Sequence, residues 1–183
     1  FTLRNARPTS DNGFIGVGVN NDKTCIIKVD SVGMISWFRT INDSNIWPMN
    51  IIVLSDGNYL VEGRDLQGST NFYMAKFDTN GILLWYRVYE RILSPVSHYV
   101  IERANHDLLI VGGSDLGNGF LLNTDSIGIP KFAKSYSALT AGSVHLYSVF
   151  ESNDRSLTLF GKGGFVSGGD SPFLIKVDSL GEG

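Results

Sequence analysis

One six-residue phrase occurs four times in this chain: Lys28-Val29-Asp30-Ser31-Val32-Gly33, Lys76-Phe77-Asp78-Thr79-Asn80-Gly81, Asn123-Thr124-Asp125-Ser126-Ile127-Gly128 and Lys176-Val177-Asp178-Ser179-Leu180-Gly181. Its aspartates are 48, 47 and 53 residues apart. Apolar segments typical of buried strands flank the phrase, and Asp-Ser-x-Gly between two such strands is typical of a tight hairpin. A repeat of roughly 40–50 residues with this strand content predicts an all-β fold, a β-propeller with one blade of four antiparallel strands per repeat.

The repeat gives a structural role to each of its recurring residue types. Each aspartate forms the hairpin turn, each glycine takes a left-handed backbone there, and the aromatic four residues later packs as a wedge between blades. The cation two residues after the aromatic either joins a ring of cations or is a solvated strand residue paired with a nearby acid. The positions are Asp30, Gly33, Trp37, Asp78, Gly81, Trp85, Asp125, Gly128, Phe132, Asp178 and Gly181, and the cations are Arg39, Arg87 and Lys134.

The strand pattern predicts a single β-propeller segment over residues 1–183. A fourth strand, as at Ile46–Leu54, is predicted to close each unit. We expect the chain to be a contiguous piece of a longer propeller, whose remaining blades belong to the same or another chain; a small four-bladed propeller is the alternative. The predicted parts are an outer strand of a preceding blade at 1–10, units at about 11–55, 56–104 and 105–154, and a partial unit at 155–183.

Composition suits a turn-rich β protein and narrows the choice of partners. The chain has 21 glycines, and 43% of its residues are hydrophobic. Its formal net charge is −3 and its 15 lysines and arginines are dispersed, which argues against nucleic acid or an anionic membrane surface as a partner. No stretch approaches the ~20 apolar residues that span a bilayer.

No residue pattern assigns a catalytic, cofactor or metal site. His98, His106 and His145 occupy non-equivalent places in the repeat without metal-ligand spacing, and we predict them at the surface or at strand edges. Cys25 lies in an apolar strand and is predicted to be a buried, inert thiol. Each hairpin offers too few oxygen ligands for a calcium loop. We therefore predict a noncatalytic protein without a cofactor.

The segments Lys28–Trp37 and Phe77–Trp85 resemble the propeller-type repeats of large secreted and surface proteins of Bacteroidetes. The resemblance covers essentially the whole chain. It implies export by type IX secretion, a secreted or cell-surface location, and a role as an adhesin, a surface-layer part or a noncatalytic module. It also implies O-glycans on serines that follow the repeated aspartates, at Ser31, Ser126 and Ser179; alternatively, serine is there only as a good turn residue.

These observations predict a noncatalytic extracellular or cell-surface propeller that serves as a structural or binding, adhesin-like platform. Its partner is expected to be a protein or a glycan at the cell surface, and its ligand surface is expected on the loops at one end of the blades. Two alternatives stay open. A carbohydrate-binding or carbohydrate-cleaving propeller would bring aromatics and carboxylates together at one mouth. A subunit of a polymeric surface assembly would accept a strand from its neighbour at an open sheet edge.

Overall fold

The computed structural model describes residues 1–41, 46–65, 71–89, 96–114, 117–137, 143–165 and 169–183. These residues form fifteen β-strands and no helix. The strands are β1 (Thr2–Pro8), β2 (Phe14–Asn20), β3 (Lys23–Val29), β4 (Ile35–Thr40), β5 (Ile46–Val53), β6 (Tyr59–Asp65), β7 (Asn71–Phe77), β8 (Leu83–Tyr89), β9 (Val96–Glu102), β10 (Leu108–Gly113), β11 (Gly119–Thr124), β12 (Pro130–Tyr136), β13 (Val144–Glu151), β14 (Leu157–Phe165) and β15 (Gly169–Val177).

The chain divides into two compact units, unit 1 at Phe1–Glu90 and unit 2 at Arg91–Gly183. Unit 1 contains two four-stranded antiparallel sheets, ordered β1-β2-β3-β4 and β5-β6-β7-β8. Their core is one cluster of buried side chains that includes Ile15 from β2, and Val61 and Tyr73 from the second sheet. Because the middle strands β2, β3, β6 and β7 are buried along most of their length, they read as continuous apolar runs rather than as alternating patterns.

Unit 2 repeats this plan in its first sheet. Strands β9, β10, β11 and β12 pair antiparallel in chain order, and β13, β14 and β15 follow as an antiparallel meander. A single pair, Gly113 with His145, joins β10 to β13. The core cluster includes Leu121 and Leu159, one from each meander. Meanders of four antiparallel strands, one per repeat, are the blades of a β-propeller, so the predicted all-β blade architecture is confirmed.

The blades begin one strand earlier than the predicted repeat units. The strand at 46–54 was expected to close the unit at 11–55, but β5 pairs with β6 and opens the second sheet. Likewise β1 pairs with β2 and belongs to the first sheet, not to a preceding blade. The physical reason lies in Ser55-Asp56-Gly57-Asn58. It forms a hairpin as tight as the repeated Asp-Ser-x-Gly turn, with the Leu54 N–H donating to the Asn58 carbonyl at 2.8 Å, and so holds β5 in register with β6.

Candidate functional site

The four repeated hairpins share one hydrogen-bond pattern. In the first, Asp30 Oδ1 accepts the backbone N–H groups of Val32 at 3.0 Å and Met34 at 2.8 Å. Gly33 has a φ of 85°, a left-handed conformation that a β-carbon disfavours. Asp78, Asp125 and Asp178 accept the N–H groups two and four residues ahead in the same way, and Gly81, Gly128 and Gly181 also have positive φ. The repeated aspartates are thus placed in turns, where Oδ1 of each accepts two backbone N–H groups of its own turn.

In unit 1 the aromatic wedge position joins the two sheets. The Trp37 indole N–H donates to the Thr79 carbonyl at 3.2 Å, and the ring lies 6.2 Å from that of Tyr59. A β-carbon on Gly81 would come within 2.8 Å of the same indole. In unit 2, Phe132 packs against the core cluster. Trp85 on β8 is half-buried.

The remaining positions named from the sequence are dispersed. The Arg39 guanidinium lies over the Trp37 ring at 5.6 Å, and Lys134 pairs with Glu182, as expected of solvated strand residues. Cys25 is fully buried. The other placements are as follows: Arg87 is half-buried, Ser31 and Ser126 are exposed, Ser179 is half-buried, His106 is exposed, His145 is half-buried, and the side chain of His98 lies outside the described residues.

A groove in unit 2 brings together polar residues that the repeat pattern did not single out. This unit 2 groove is lined by Arg103, Asp107, Asn123, Lys131, Phe132 and Arg155, and the Ser179 turn lies beside it. Its volume is about 560 Å³. Small-molecule sites typically measure roughly 300–1,000 Å³. The lining comes from the β9–β10 turn, from β11 and β12, and from the β13–β14 turn.

Arg103 is the buried centre of this groove, with 7% of its surface exposed. Its Nε and Nη2 donate to Glu151 Oε1 at 2.9 and 2.8 Å, and its Nη1 donates to Asn123 Oδ1 at 3.2 Å and to the Ser179 carbonyl at 3.3 Å. Glu151 Oε2 accepts the Ala104 backbone N–H at 3.3 Å. A buried ion pair is tolerated only where such hydrogen bonds satisfy both partners. The pair therefore ties the β9–β10 turn and the Ser179 turn to the strands β11 and β13.

Asp107 forms the second buried network. Its Oδ1 accepts the Lys131 ammonium at 2.6 Å, and its Oδ2 accepts the side-chain amides of Asn105 at 3.0 Å and Asn123 at 3.2 Å. Burial by itself would raise the pKa of Asp107, but the hydrogen bonds from Lys131, Asn123 and Asn105 hold that pKa below its usual value. Asp107 is therefore ionised at neutral pH and is poorly suited to donate a proton.

Two cations of the groove reach its open side. The side chains of Lys131 and Arg155 are 49% and 48% exposed. The Arg155 Nη1 lies 3.8 Å from Glu151 Oε1, which is beyond hydrogen-bond range. Arg155 also has a φ of 67°, in the left-handed region that non-glycine residues seldom adopt. The groove thus exposes the cationic groups of Lys131 and Arg155 to solvent, whereas the Arg103–Glu151 pair beneath them is buried and hydrogen-bonded.

Unit 1 has a smaller groove of about 220 Å³ at the same place in its repeat. The Lys28 ammonium donates there to Asp11 Oδ2 at 2.7 Å and to the Val29 carbonyl at 2.9 Å, and Trp37 forms part of the lining. The hydrogen bond from Lys28 is the main cause that holds the pKa of Asp11 well below its usual range. The two units can be superposed in sequence by matching their turns, which gives six equivalent positions. The unit 1 residues Thr9, Gly13, Lys28, Ser36, Val53 and Gly57 correspond, in that order, to Arg103, Asp107, Asn123, Lys131, Glu151 and Arg155 of unit 2.

One sequence signal pointed to the unit 2 groove. The third phrase begins with Asn123 where the other three begin with lysine. A lysine there is paired with the facing turn in the other blades, as Lys76 is with Asp56 at 2.7 Å. Its replacement therefore marks a changed site, although the burial of Arg103 and its pairing with Glu151 follow only from the structure.

The groove has the volume of a small-molecule site, but its carboxylates are poorly placed for acid–base chemistry. Asp107 accepts three hydrogen bonds and Glu151 accepts three, all from the protein itself. Within the described ranges, no cluster of three or more His, Cys, Asp or Glu side chains forms a metal-binding group. Across the same ranges, no helical segment has the length and apolar character of a membrane span.

Comparison with known proteins gives a likeness of fold and no family. No protein-family model matches the chain, and no curated protein is significantly similar to it. Among solved structures, 29 chains match. A structure described as the eukaryotic initiation factor has a TM-score of 0.54 at 13% identity over 74% of this chain. A subtype N11 neuraminidase-like protein of A/flat-faced bat/Peru/033/2010 (H18N11) has a TM-score of 0.47 at 10% identity over 91% of this chain. The present chain spans 32% and 57% of their respective lengths.

Proposed function

We propose that this protein is a noncatalytic extracellular or cell-surface β-propeller platform, adhesin-like in role, and that its unit 2 groove binds a glycan. One observation carries the proposal: positions that in unit 1 hold Thr9, Ser36 and Gly57 hold Arg103, Lys131 and Arg155 in unit 2. The repeat framework is the same in both units, so these cations are not needed to build the hairpins. Arg103 is accounted for by its pairing with Glu151, whereas Lys131 and Arg155 reach the open side of the groove, and a ligand accounts for these two.

A glycan suits the chemistry that the groove presents. Sugar hydroxyls both donate and accept hydrogen bonds, and the groove offers ammonium and guanidinium donors with the amide of Asn105 beside them. The half-buried ring of Phe132 supplies an apolar surface in the same lining. Sites of this kind combine apolar walls with a few placed polar groups that fix orientation.

A binding role fits the groove better than cleavage does. Glycoside cleavage needs one carboxyl group that keeps its proton near neutral pH and a second carboxylate that is free to act as a nucleophile or base. Asp107 has a lowered pKa and accepts hydrogen bonds from Lys131, Asn123 and Asn105, and Glu151 is engaged by Arg103. Neither group is prepared for these tasks.

The location belongs to the same proposal and rests on the resemblance of the repeated phrase to surface-protein repeats. We include export by type IX secretion and O-glycosylation at the exposed turn serines Ser31 and Ser126. Ser179 is the least accessible of the three sites, because it is half-buried beside the unit 2 groove.

The test is to immobilise the whole chain and pass a panel of neutral and acidic polysaccharides over it, while assaying each for newly released reducing ends. We expect retention of at least one polysaccharide without release of ends, and amide chemical-shift changes confined to the turns around the groove. Release of reducing ends would overturn the noncatalytic role. A panel that gives no retention at all, or shifts confined to unit 1, would overturn the assignment of the groove as the glycan site.

A further inference from the structure

The charges of the unit 2 groove do not balance. Arg103 is matched by Glu151, and Lys131 is matched by Asp107. Arg155 is the surplus cation, because Glu151 Oε1 already accepts two hydrogen bonds from Arg103 and lies 3.8 Å from the Arg155 guanidinium. The groove therefore has one net positive charge in a chain whose formal net charge is −3.

Arg155 is also an unfavourable choice for its backbone position. Its φ is 67°, and the equivalent turn of unit 1 has Gly57 at 81°. A left-handed backbone costs a long side chain more than it costs glycine. Asn12 at 61° and His106 at 65° have the same conformation at the equivalent turns, so the guanidinium, and not the backbone, distinguishes this turn. The planar guanidinium fork can donate two parallel hydrogen bonds to one carboxylate.

Lys131 supplies a second donor on the same side. Its ammonium makes one hydrogen bond, to Asp107, and has no further partner among the residues that the structure describes. An ammonium carries three donors, so the pairing with Asp107 does not exhaust them. The two exposed cations flank a cavity of about 560 Å³ that also contains the Phe132 ring.

We infer that the ligand of the unit 2 groove is an acidic saccharide, a sugar unit of the uronic acid type. Its carboxylate is held by the Arg155 fork, and Lys131 and Asn105 donate to its ring hydroxyls. This inference rests on the proposed glycan-binding function and adds the charge of the ligand to it. A neutral sugar would leave the surplus charge of Arg155 unmatched, whereas a carboxylate completes the balance.

The experiment compares galacturonic acid disaccharide with the corresponding uncharged galactose disaccharide, by calorimetry and by amide shifts of the whole chain. The key variant is Arg155→Gly, which installs the residue that unit 1 has at this turn and removes the backbone strain. The control is Arg39→Gln, which removes one positive charge from exposed β4 in unit 1. Thermal unfolding of each variant separates loss of binding from loss of fold.

We expect the acidic disaccharide to bind at least about tenfold more tightly than the neutral one, because a bidentate charged pair replaces neutral hydrogen bonds. That preference should vanish in Arg155→Gly, which stays as stable as the parent or becomes more stable, and should persist in Arg39→Gln. Equal binding of both disaccharides, unchanged in Arg155→Gly, would overturn the acidic ligand and keep a glycan-binding groove. The acidic ligand would also be overturned if neither disaccharide shifted any groove amide while other polysaccharides of the panel were retained at the groove. Failure of the entire panel would overturn the groove as a glycan site.

Discussion

In unit 1 the space between the two sheets is occupied by the Trp37 indole and the short Lys28–Asp11 pair, and the remaining groove measures about 220 Å³. In unit 2 the same place in the repeat contains the buried Arg103–Glu151 pair and the Asp107 network, and the groove measures about 560 Å³. Both units use the same hairpins, with aspartates that accept their own backbone N–H groups. The turns are self-sufficient, so the residues between the sheets are free to differ.

This difference separates the residues that build the hairpins from those that line the grooves. The repeated residues satisfy local hydrogen bonds and therefore tolerate changes elsewhere. Asn123, which replaces the repeated lysine, and Arg155, which stands at a position that varies between blades, both line the unit 2 groove. The one departure from the repeated lysine, at Asn123, therefore lies in the larger of the two grooves.

The largest expected effect comes from breaking the ion pair that exists only in unit 2. Glu151→Ala removes the partner of a guanidinium that is 7% exposed. An uncompensated buried charge costs about 3–5 kcal/mol, so the free energy of unfolding of unit 2 should fall by that amount. Urea unfolding followed by circular dichroism, with hydrogen exchange at the β11 amides, measures it.

The matched control for that prediction places two unit 1 residues at the equivalent positions of unit 2. The double variant Arg103→Thr with Glu151→Val installs the residues found at Thr9 and Val53. Replacing a buried ion pair by well-packed neutral residues is often nearly neutral, so most of the lost stability should return. If the double variant is as unstable as Glu151→Ala, the two grooves are not interchangeable and the comparison between them fails.

A medium effect is expected where an aromatic wedge meets a turn. Gly33→Ala meets no atom within 4 Å and should cost about 1–2 kcal/mol for its left-handed backbone alone. Gly81→Ala has the same kind of φ, but its β-carbon would lie 2.8 Å from the Trp37 ring. Overpacking adds roughly 1–3 kcal/mol, so Gly81→Ala should lower the free energy of unfolding more than Gly33→Ala does. Equal costs in parallel urea titrations would show that Trp37 does not pack against this turn.

The fold could be predicted from the sequence because the residue patterns that specify it are local and repeated. The spacing of Asp30, Asp78, Asp125 and Asp178 and the apolar strands around them were enough to predict four-stranded antiparallel blades. The start of each blade was misplaced by one strand. Leu54–Asn58 forms a hairpin of the same kind as Asp30–Met34, and turn chemistry alone does not tell which of two tight hairpins lies within a blade.

Most of the unit 2 groove could not be predicted from the sequence, because its residues are brought together by long-range packing. Arg103 and Glu151 are 48 residues apart, and nothing in their local sequence shows that they meet. Ordinary charged residues in turns are solvated, so burial of this pair depends on how β13 and β14 pack against the preceding sheet. Only the departure of Asn123 from the repeated lysine was visible in advance.

The smallest expected effect concerns a hydrogen bond that occurs in both units, from an aromatic side chain to a backbone carbonyl of a turn. In unit 2 the Tyr136 hydroxyl donates to the Gly181 carbonyl at 2.9 Å, as the Trp37 indole donates to Thr79 in unit 1. Tyr136→Phe should lower the free energy of unfolding by about 0.5–1.5 kcal/mol at neutral pH. The change is measured by urea unfolding beside the parent chain.

The same hydroxyl makes the prediction sharper at alkaline pH. Burial, followed by the negative charges of Glu182 and Asp178, raises the pKa of Tyr136 to about 12, whereas the phenol of an unfolded chain titrates near 10. The folded state binds this proton more tightly than the unfolded state. The contribution of Tyr136 to stability is therefore complete below pH 10 and is lost as pH rises from about 10 to about 12. The stability gap between the parent and Tyr136→Phe should accordingly narrow over that interval; a gap that stays constant would mean that the phenol is not held protonated by the fold.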